Sequence, residues 1–226
     1  MHMFQPTTRQ PRQQVLPKIQ VTQSPEGLVL KEPLGGYTML LFLGFFALFW
    51  NTITWVVFGT AWATQGLGSI WWGVIFVLVG LVLLFFFVRQ LAISLRFGPG
   101  KLIISTWPLC IGSEAEVRFV RNIRGSATIE RLEARLVCTE VATYQVGTDT
   151  RTVRETVWEE TLPAAMMMPG SSMMDATWHV HIPKDAPPSL SVRRNQIVWS
   201  VEVKAYVANF PDTTSSFTLV VRPEVV

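Results

Sequence analysis

His179 and His181 stand two apart in the stretch TWHVHI, a spacing that turns both imidazoles to one face of an extended strand. Two nitrogens can begin a metal site, but a stable one needs three or four convergent ligands. No third ligand follows at matching spacing, so solvent-facing histidines are expected. Met166, Met167, Met168, Met173 and Met174 crowd the segment MMMPGSSMMDATW around a Pro-Gly turn. Soft thioethers can ligate Cu(I), yet unbranched, polarizable side chains equally suit adaptable contacts with a protein or a membrane surface. Partner contact is therefore the reading given to all five, with core filling and copper handling as alternatives. Cys110 and Cys138 lack the C-x-x-C spacing of a zinc or redox pair and read as small core residues. The chain contains no G-x-S-x-G elbow, H-E-x-x-H pair or glycine-rich phosphate loop. No catalytic residue, resident metal or cofactor is expected, and no enzymatic activity or small-molecule substrate.

The elements that carry these residues fall into two kinds. Two apolar runs, about 37–60 and 70–88, hold no charged residue, and each is long enough to cross roughly 30 Å of hydrocarbon at about 1.5 Å per residue. The first starts after 36 residues and is longer than a secretory signal core, so cleavage is not expected. The predicted partition is an extended tail over 1–36, a two-helix transmembrane hairpin over 37–90, and an all-β domain over 91–226. The tail is rich in Gln, Pro and Thr and is expected to bury no apolar face of its own. A net charge of +3 on 226 residues is too weak for a nucleic-acid reader. Arg9, Arg12, Lys18 and Lys31 precede the first run, and Arg89, Arg96 and Lys101 follow the second, while the connection AWATQGLGS has no basic residue. The positive-inside bias then places both termini and the β domain in the cytoplasm, beneath a bacterial inner membrane.

Within the runs, small and polar residues mark packing faces. Gly44, Ala47, Asn51 and Thr54 recur at helical spacing on the first helix, and Gly73 and Gly80 lie a heptad apart on the second. Asn51 is expected to face another helix, since its amide is worth about 0.6 to 2 kcal/mol in such a contact. Trp50, Trp55, Trp62, Trp71 and Trp72 read as a belt at the outer membrane interface. The phenylalanines at 42, 45, 46, 49, 85, 86 and 87 form faces broader than a single partner helix covers. Neither run offers a histidine or a carboxylate, so haem, chlorophyll or ion conduction finds no ligand there.

Beyond the second run the period becomes two. Leu132, Leu136 and Cys138 alternate with Glu133, Arg135 and Val137, and Trp178, Val180 and Ile182 alternate with Thr177, His179 and His181. Turn signals at FGPG, NIRGS, VGTDT, PKDAPPS and NFPDTTS separate seven or eight such segments, the pattern of an antiparallel sandwich of immunoglobulin-like layout. A barrel is the rival arrangement. The stretch HVHIPKDAPPSLSVRRNQIVWSVEVKAYV, with Ile182 and Pro183, Pro188 and Ser189, then Ile197 and Trp199, resembles arrestin-like β-sandwiches. The layout of two spans and one sandwich also resembles bacterial two-span membrane proteins. The resemblance implies binding through loops and strand edges, with one sandwich here where arrestins hold two.

These features lead to the expectation of a non-catalytic accessory or scaffolding subunit of a larger membrane complex, for which a respiratory or photosynthetic assembly is a natural host. Its partners would be other membrane subunits and the lipid bilayer. The alternative is a membrane-tethered arrestin-like adaptor that recruits a soluble protein.

Overall fold

The computed structural model describes residue 19 and residues 21–25, 27–33, 35–65, 70–125, 127–168 and 170–223. Two strands come first, β1 (Val21–Ser24) and β2 (Gly27–Lys31), followed by helices α1 (Gly35–Gln65) and α2 (Ile70–Arg96). The strands β3 (Lys101–Ile104), β4 (Leu109–Cys110), β5 (Glu114–Asn122), β6 (Ile129–Val146), β7 (Asp149–Thr161) and β8 (Ala165–Met166) then follow. The chain closes with β9 (Met173–His181), β10 (Leu190–Val192), β11 (Asn195–Val207), β12 (Thr213–Leu219) and β13 (Val221–Arg222).

Both helices are long and apolar enough to cross a membrane, over Gly36–Thr64 and Gly73–Arg96. Core helices of a soluble domain would be covered, whereas only 11% and 6% of the most apolar windows here are buried. The helices pack antiparallel in a heptad register. Gly44 lies against Phe87, Asn51 against Gly80 and Phe58 against Gly73, so each contact advances one heptad on α1 and retreats one on α2. That is the spacing of a left-handed coiled pair, and the glycines bring the backbones close enough for a ring or an amide to fill the gap. A Cβ on Gly80 would come within 2.6 Å of Asn51 Oδ1.

The remainder is a sandwich of two antiparallel sheets. One has the order β1-β2-β3-β5-β9; the other has the order β10-β11-β6-β7, with β12 also on β11 and β8 on β6. A short parallel pair, β4 with β13, lies beside them. The inward residues follow the two-residue period: Leu102 and Ile104, Val117 and Phe119 from one sheet, Leu132, Leu136, Trp199, Val201 and Phe217 from the other, all buried. Phe119 and Phe217 meet edge to face with ring centres 6.0 Å apart, joining the sheets across the core.

The expected partition fails at its first boundary. Residues 21–31 are not a free tail: β2 pairs with β3, setting Leu30 opposite Leu102 and Lys31 opposite Lys101, and β1 extends the sheet by one strand. The sandwich is thus discontinuous, with the helical hairpin inserted between two neighbouring strands. Average composition hid this, because Val21, Leu28 and Leu30 are diluted by Gln, Thr and Ser. Leu30 is nonetheless fully enclosed in the core. Gly27, at φ +130°, supports the connection from β1 to β2, and its Cα faces the Ile104 carbonyl closely enough that a Cβ would sit 3.2 Å from it. The helices also outrun the expected spans, α2 continuing past Val88 to Arg96, where Ile93 packs on the sandwich core.

Candidate functional site at the base of the hairpin

Two chain crossings join the hairpin to the sandwich, with residues 32 and 33 on the way in and 97–100 on the way out, and a buried cation ties them. β5 alternates outward Glu114, Glu116 and Arg118 with inward Ala115, Val117 and Phe119, which makes Arg121 the inward-facing residue at the strand's end. Its guanidinium is buried. Arg121 Nε donates to the Gly98 carbonyl at 2.8 Å, and one terminal nitrogen donates to Thr213 Oγ1 at 3.0 Å and Ser215 Oγ at 3.1 Å. The other terminal nitrogen lies 3.8 Å from the Glu32 carboxylate. Burial lowers the arginine's pKa from its ordinary value, and the Glu32 charge pulls in the opposite direction. The group stays charged at neutral pH, as guanidinium does in proteins.

Glu32 closes the joint. Its carboxylate accepts the Gly100 N–H at 2.8 Å, and its own N–H donates to the Gly100 carbonyl at 3.0 Å. Downstream, the Arg124 N–H donates to the Arg96 carbonyl at 2.7 Å, the Ile123 N–H to Ser172 at 2.8 Å, and the Arg96 guanidinium lies 4.9 Å above the Phe210 ring. The end of α2 is thereby fastened to two sandwich loops, one of which is tied in turn to Ser172. Nothing in the sequence reading singled out Arg121 or Glu32. The available signal was parity, an arginine standing on the apolar side of a strand's alternation.

Of the helix-packing residues expected from spacing, Gly44, Ala47, Asn51, Thr54, Gly73 and Gly80 all lie along the α1–α2 contact or next to it. Ala47 and Thr54 are buried. Asn51 Nδ2 donates to the Ala47 carbonyl at 2.8 Å and across the hairpin to Gly80 at 3.3 Å. The tryptophans divide. Trp50 is at the centre of the span Gly36–Thr64, stacks on Phe76 and donates its indole N–H to the Phe76 carbonyl at 3.0 Å. Its assignment to the outer boundary is therefore corrected: residue 50 is about central both in the run 37–60 and in α1, and its indole N–H is satisfied by α2 instead of by interfacial water. Trp55 and Trp62 are exposed toward the hairpin tip, and the side chains of Trp71 and Trp72 lie outside the described residues.

The five methionines do not share one environment. Met174 is 0% exposed in the core and Met167 packs against it, whereas Met166 and Met168 are 78% and 80% exposed. Met173 is partly exposed. Met174 is thus no surface contact, because the two-residue period of β9 turns it inward. His179 and His181 face outward on β9, opposite Glu116 and Glu114 on β5. His181 Nδ1 is 3.6 Å from the Glu114 carboxylate. Matching carboxylates therefore exist, contrary to expectation, on a strand distant in sequence. Among the described residues no group of three or more His, Cys, Asp and Glu is gathered closely enough to hold a metal ion.

Other charges are engaged along the sheets. Arg118 Nε donates to Asp175 at 2.7 Å, and this hydrogen bond, with the guanidinium charge, holds the Asp175 carboxyl below its usual pKa. Arg135 bridges Glu159 at 3.0 Å and Glu202 at 2.7 Å across three strands. A hydrogen bond from Tyr206, then the Arg131 side chain, lowers the Glu133 carboxyl. Within the motif that resembles arrestin-like proteins, Trp199 is buried against Trp158 and donates to the Pro187 carbonyl at 2.9 Å, and the Ser189 hydroxyl accepts the Val221 N–H at 3.0 Å.

No protein-family model matches this chain, and no curated protein matches its sequence. Among solved structures, the sporulation control protein Spo0M from Bacillus subtilis is similar over 57% of this chain, with 11% sequence identity and a TM-score of 0.44. That likeness covers 50% of the Spo0M chain, so this chain spans about half of its length.

Proposed function

We propose that this protein is a non-catalytic accessory subunit of a larger membrane assembly, with its hairpin in the bilayer and its sandwich and both termini on the cytoplasmic side. The observation that carries this reading is the double fastening of the hairpin to the sandwich through Glu32, Gly100 and Arg121. A brace must transmit force between what it holds in the membrane and what it holds outside. A buried guanidinium bonded to three segments resists swivelling better than a flexible linker does. Exposed Phe42, Phe45, Trp55 and Phe85 add apolar aromatic surface that the two-helix contact leaves free for neighbouring helices. The basic residues flanking the spans support the cytoplasmic placement.

Extraction of the full chain from its native membrane in mild detergent, followed by native mass measurement, tests this directly. Co-migration with integral membrane subunits is the expected result, and a monodisperse free monomer overturns it. One observation favours a second reading, an adaptor for a soluble protein. β7 forms the edge of its sheet and is exposed over nearly its whole length, a platform for strand addition. The same experiment separates the two, since an adaptor would bring down a soluble protein in place of membrane subunits.

A further inference from the structure

We propose that the cleft at the foot of α1 is a binding site for the phosphate headgroup of an anionic phospholipid, held between Lys31 and Lys101. The β2–β3 register sets these two lysines directly opposite each other. Both are exposed, and neither forms an ion pair with another of the described residues. Like charges placed opposite on adjacent strands destabilise a sheet, and an anion lying between the two ammonium groups would relieve that repulsion.

The surroundings specify the kind of anion. Both lysines line a cleft of about 830 Å³ whose walls include the exposed Pro33, Tyr37 and Pro99, apolar surface suited to the glycerol and upper acyl region of a lipid. Glu32 also lines it, but its charge is committed to Arg121 and to the Gly100 N–H. Position argues for a lipid over a soluble phosphate: α1 begins at Gly35 and α2 ends at Arg96, which puts Lys31 and Lys101 within a few residues of both points where the helices leave the sandwich. Basic side chains at that level attract anionic headgroups by about fivefold in affinity per residue. The inference rests on the hairpin occupying a bilayer, which resistance to alkaline carbonate extraction reads separately.

The test is native mass spectrometry of the full-length protein from nanodiscs of equal phosphatidylglycerol and phosphatidylcholine with matched acyl chains. Phosphatidylglycerol should be retained at least about fivefold over phosphatidylcholine, and Lys31→Gln and Lys101→Gln should each reduce that preference about fivefold, while Lys184→Gln leaves it unchanged. Equal retention of the two lipids, or an equal loss in Lys184→Gln, overturns the proposal. Displacement of the lipid by millimolar glycerol phosphate also overturns it, by making the site one for soluble phosphate. In phosphatidylcholine alone the two glutamine variants should unfold no earlier than the parent, because they remove a repulsion. Earlier unfolding would show that the lysines hold the fold, and would overturn the proposal too.

Discussion

Glu32 and Gly100 lie 68 residues apart in sequence, on either side of the helical hairpin, yet they exchange two hydrogen bonds, N–H to carbonyl at 3.0 Å and carboxylate to N–H at 2.8 Å. A Cβ on Gly100 would stand 3.1 Å from the Phe119 ring, 3.2 Å from the Glu32 carboxylate and 3.2 Å from Ser215 Oγ. A side chain there would require these three groups to give by a few tenths of an ångström. Arg121 completes the joint from the opposite side.

Removal of Arg121 should therefore be among the most damaging single changes outside the apolar core. Arg121→Met leaves Glu32 without its cation and the Gly98 carbonyl without its donor, a loss of about 3 kcal/mol for breaking a largely buried pair. Arg121→Lys should recover only part of this, because an ammonium on a flexible stem does not reproduce the planar fork that reaches Gly98, Thr213 and Ser215 together. Unfolding of the full chain in micelles, followed by tryptophan fluorescence, measures both.

The Asn51–Gly80 contact makes a prediction inside the hairpin. Asn51→Leu should destabilise the helix pair by about 1 kcal/mol, the scale of a polar contact between membrane helices. Gly80→Leu should do more, since even its Cβ meets the Asn51 amide oxygen at 2.6 Å. Energy transfer between dyes placed at the two ends of the hairpin should show separated helices in Gly80→Leu and a near-native distance in Asn51→Leu.

Acid should weaken the sandwich in part through Asp175. The hydrogen bond and charge of Arg118 lower its carboxyl pKa in the folded state, so the ionised form is favoured by folding. That contribution is complete above the unfolded value of about 3.9 and is lost as the pH falls through the lower folded value. Asp175→Asn should be less stable than the parent at pH 7, and the difference should begin to shrink only below about pH 4 and vanish below the lower folded value. Thermal melts across that range check it.

The two thiols should differ in reactivity. Burial pushes the Cys138 thiol up to about 11, and the residue is closed off between the sheets, whereas Cys110 is half-buried. Maleimide at pH 7.5 should label one thiol in the folded protein and two after denaturation. Cys110→Ser should abolish the native-state labelling, and persistence of that labelling would contradict the assigned burial of Cys138.

Much of the architecture follows from local pattern. The uncharged runs around Asn51 and Gly80 define helices because length and apolarity need no knowledge of neighbours, and the alternation around Leu132 or Trp178 defines strands for the same reason. Even the heptad of Gly73 and Gly80 is visible in one dimension. What escaped was pairing. Val21, Leu28 and Leu30 carry strand parity, but in a segment too polar on average to stand out, and their burial depends on β3, reached only after the whole hairpin. His179 and His181 have no carboxylate at matching spacing in their own segment, and β5 brings Glu116 and Glu114 opposite them. Met174 and Met173 are adjacent and chemically identical, yet the pleat sends one into the core and leaves the other at the surface.

Sequence alone thus determined which segments are apolar enough to leave water and which alternate enough to form a half-buried sheet, since both are properties of a few consecutive residues. Only the tertiary structure decided that the helical hairpin interrupts a sheet, that Arg121 fastens both of its ends, and that Lys31 and Lys101 face each other. Each depends on segments brought together across a long intervening chain, and short-range periodicity has no term for such a neighbour.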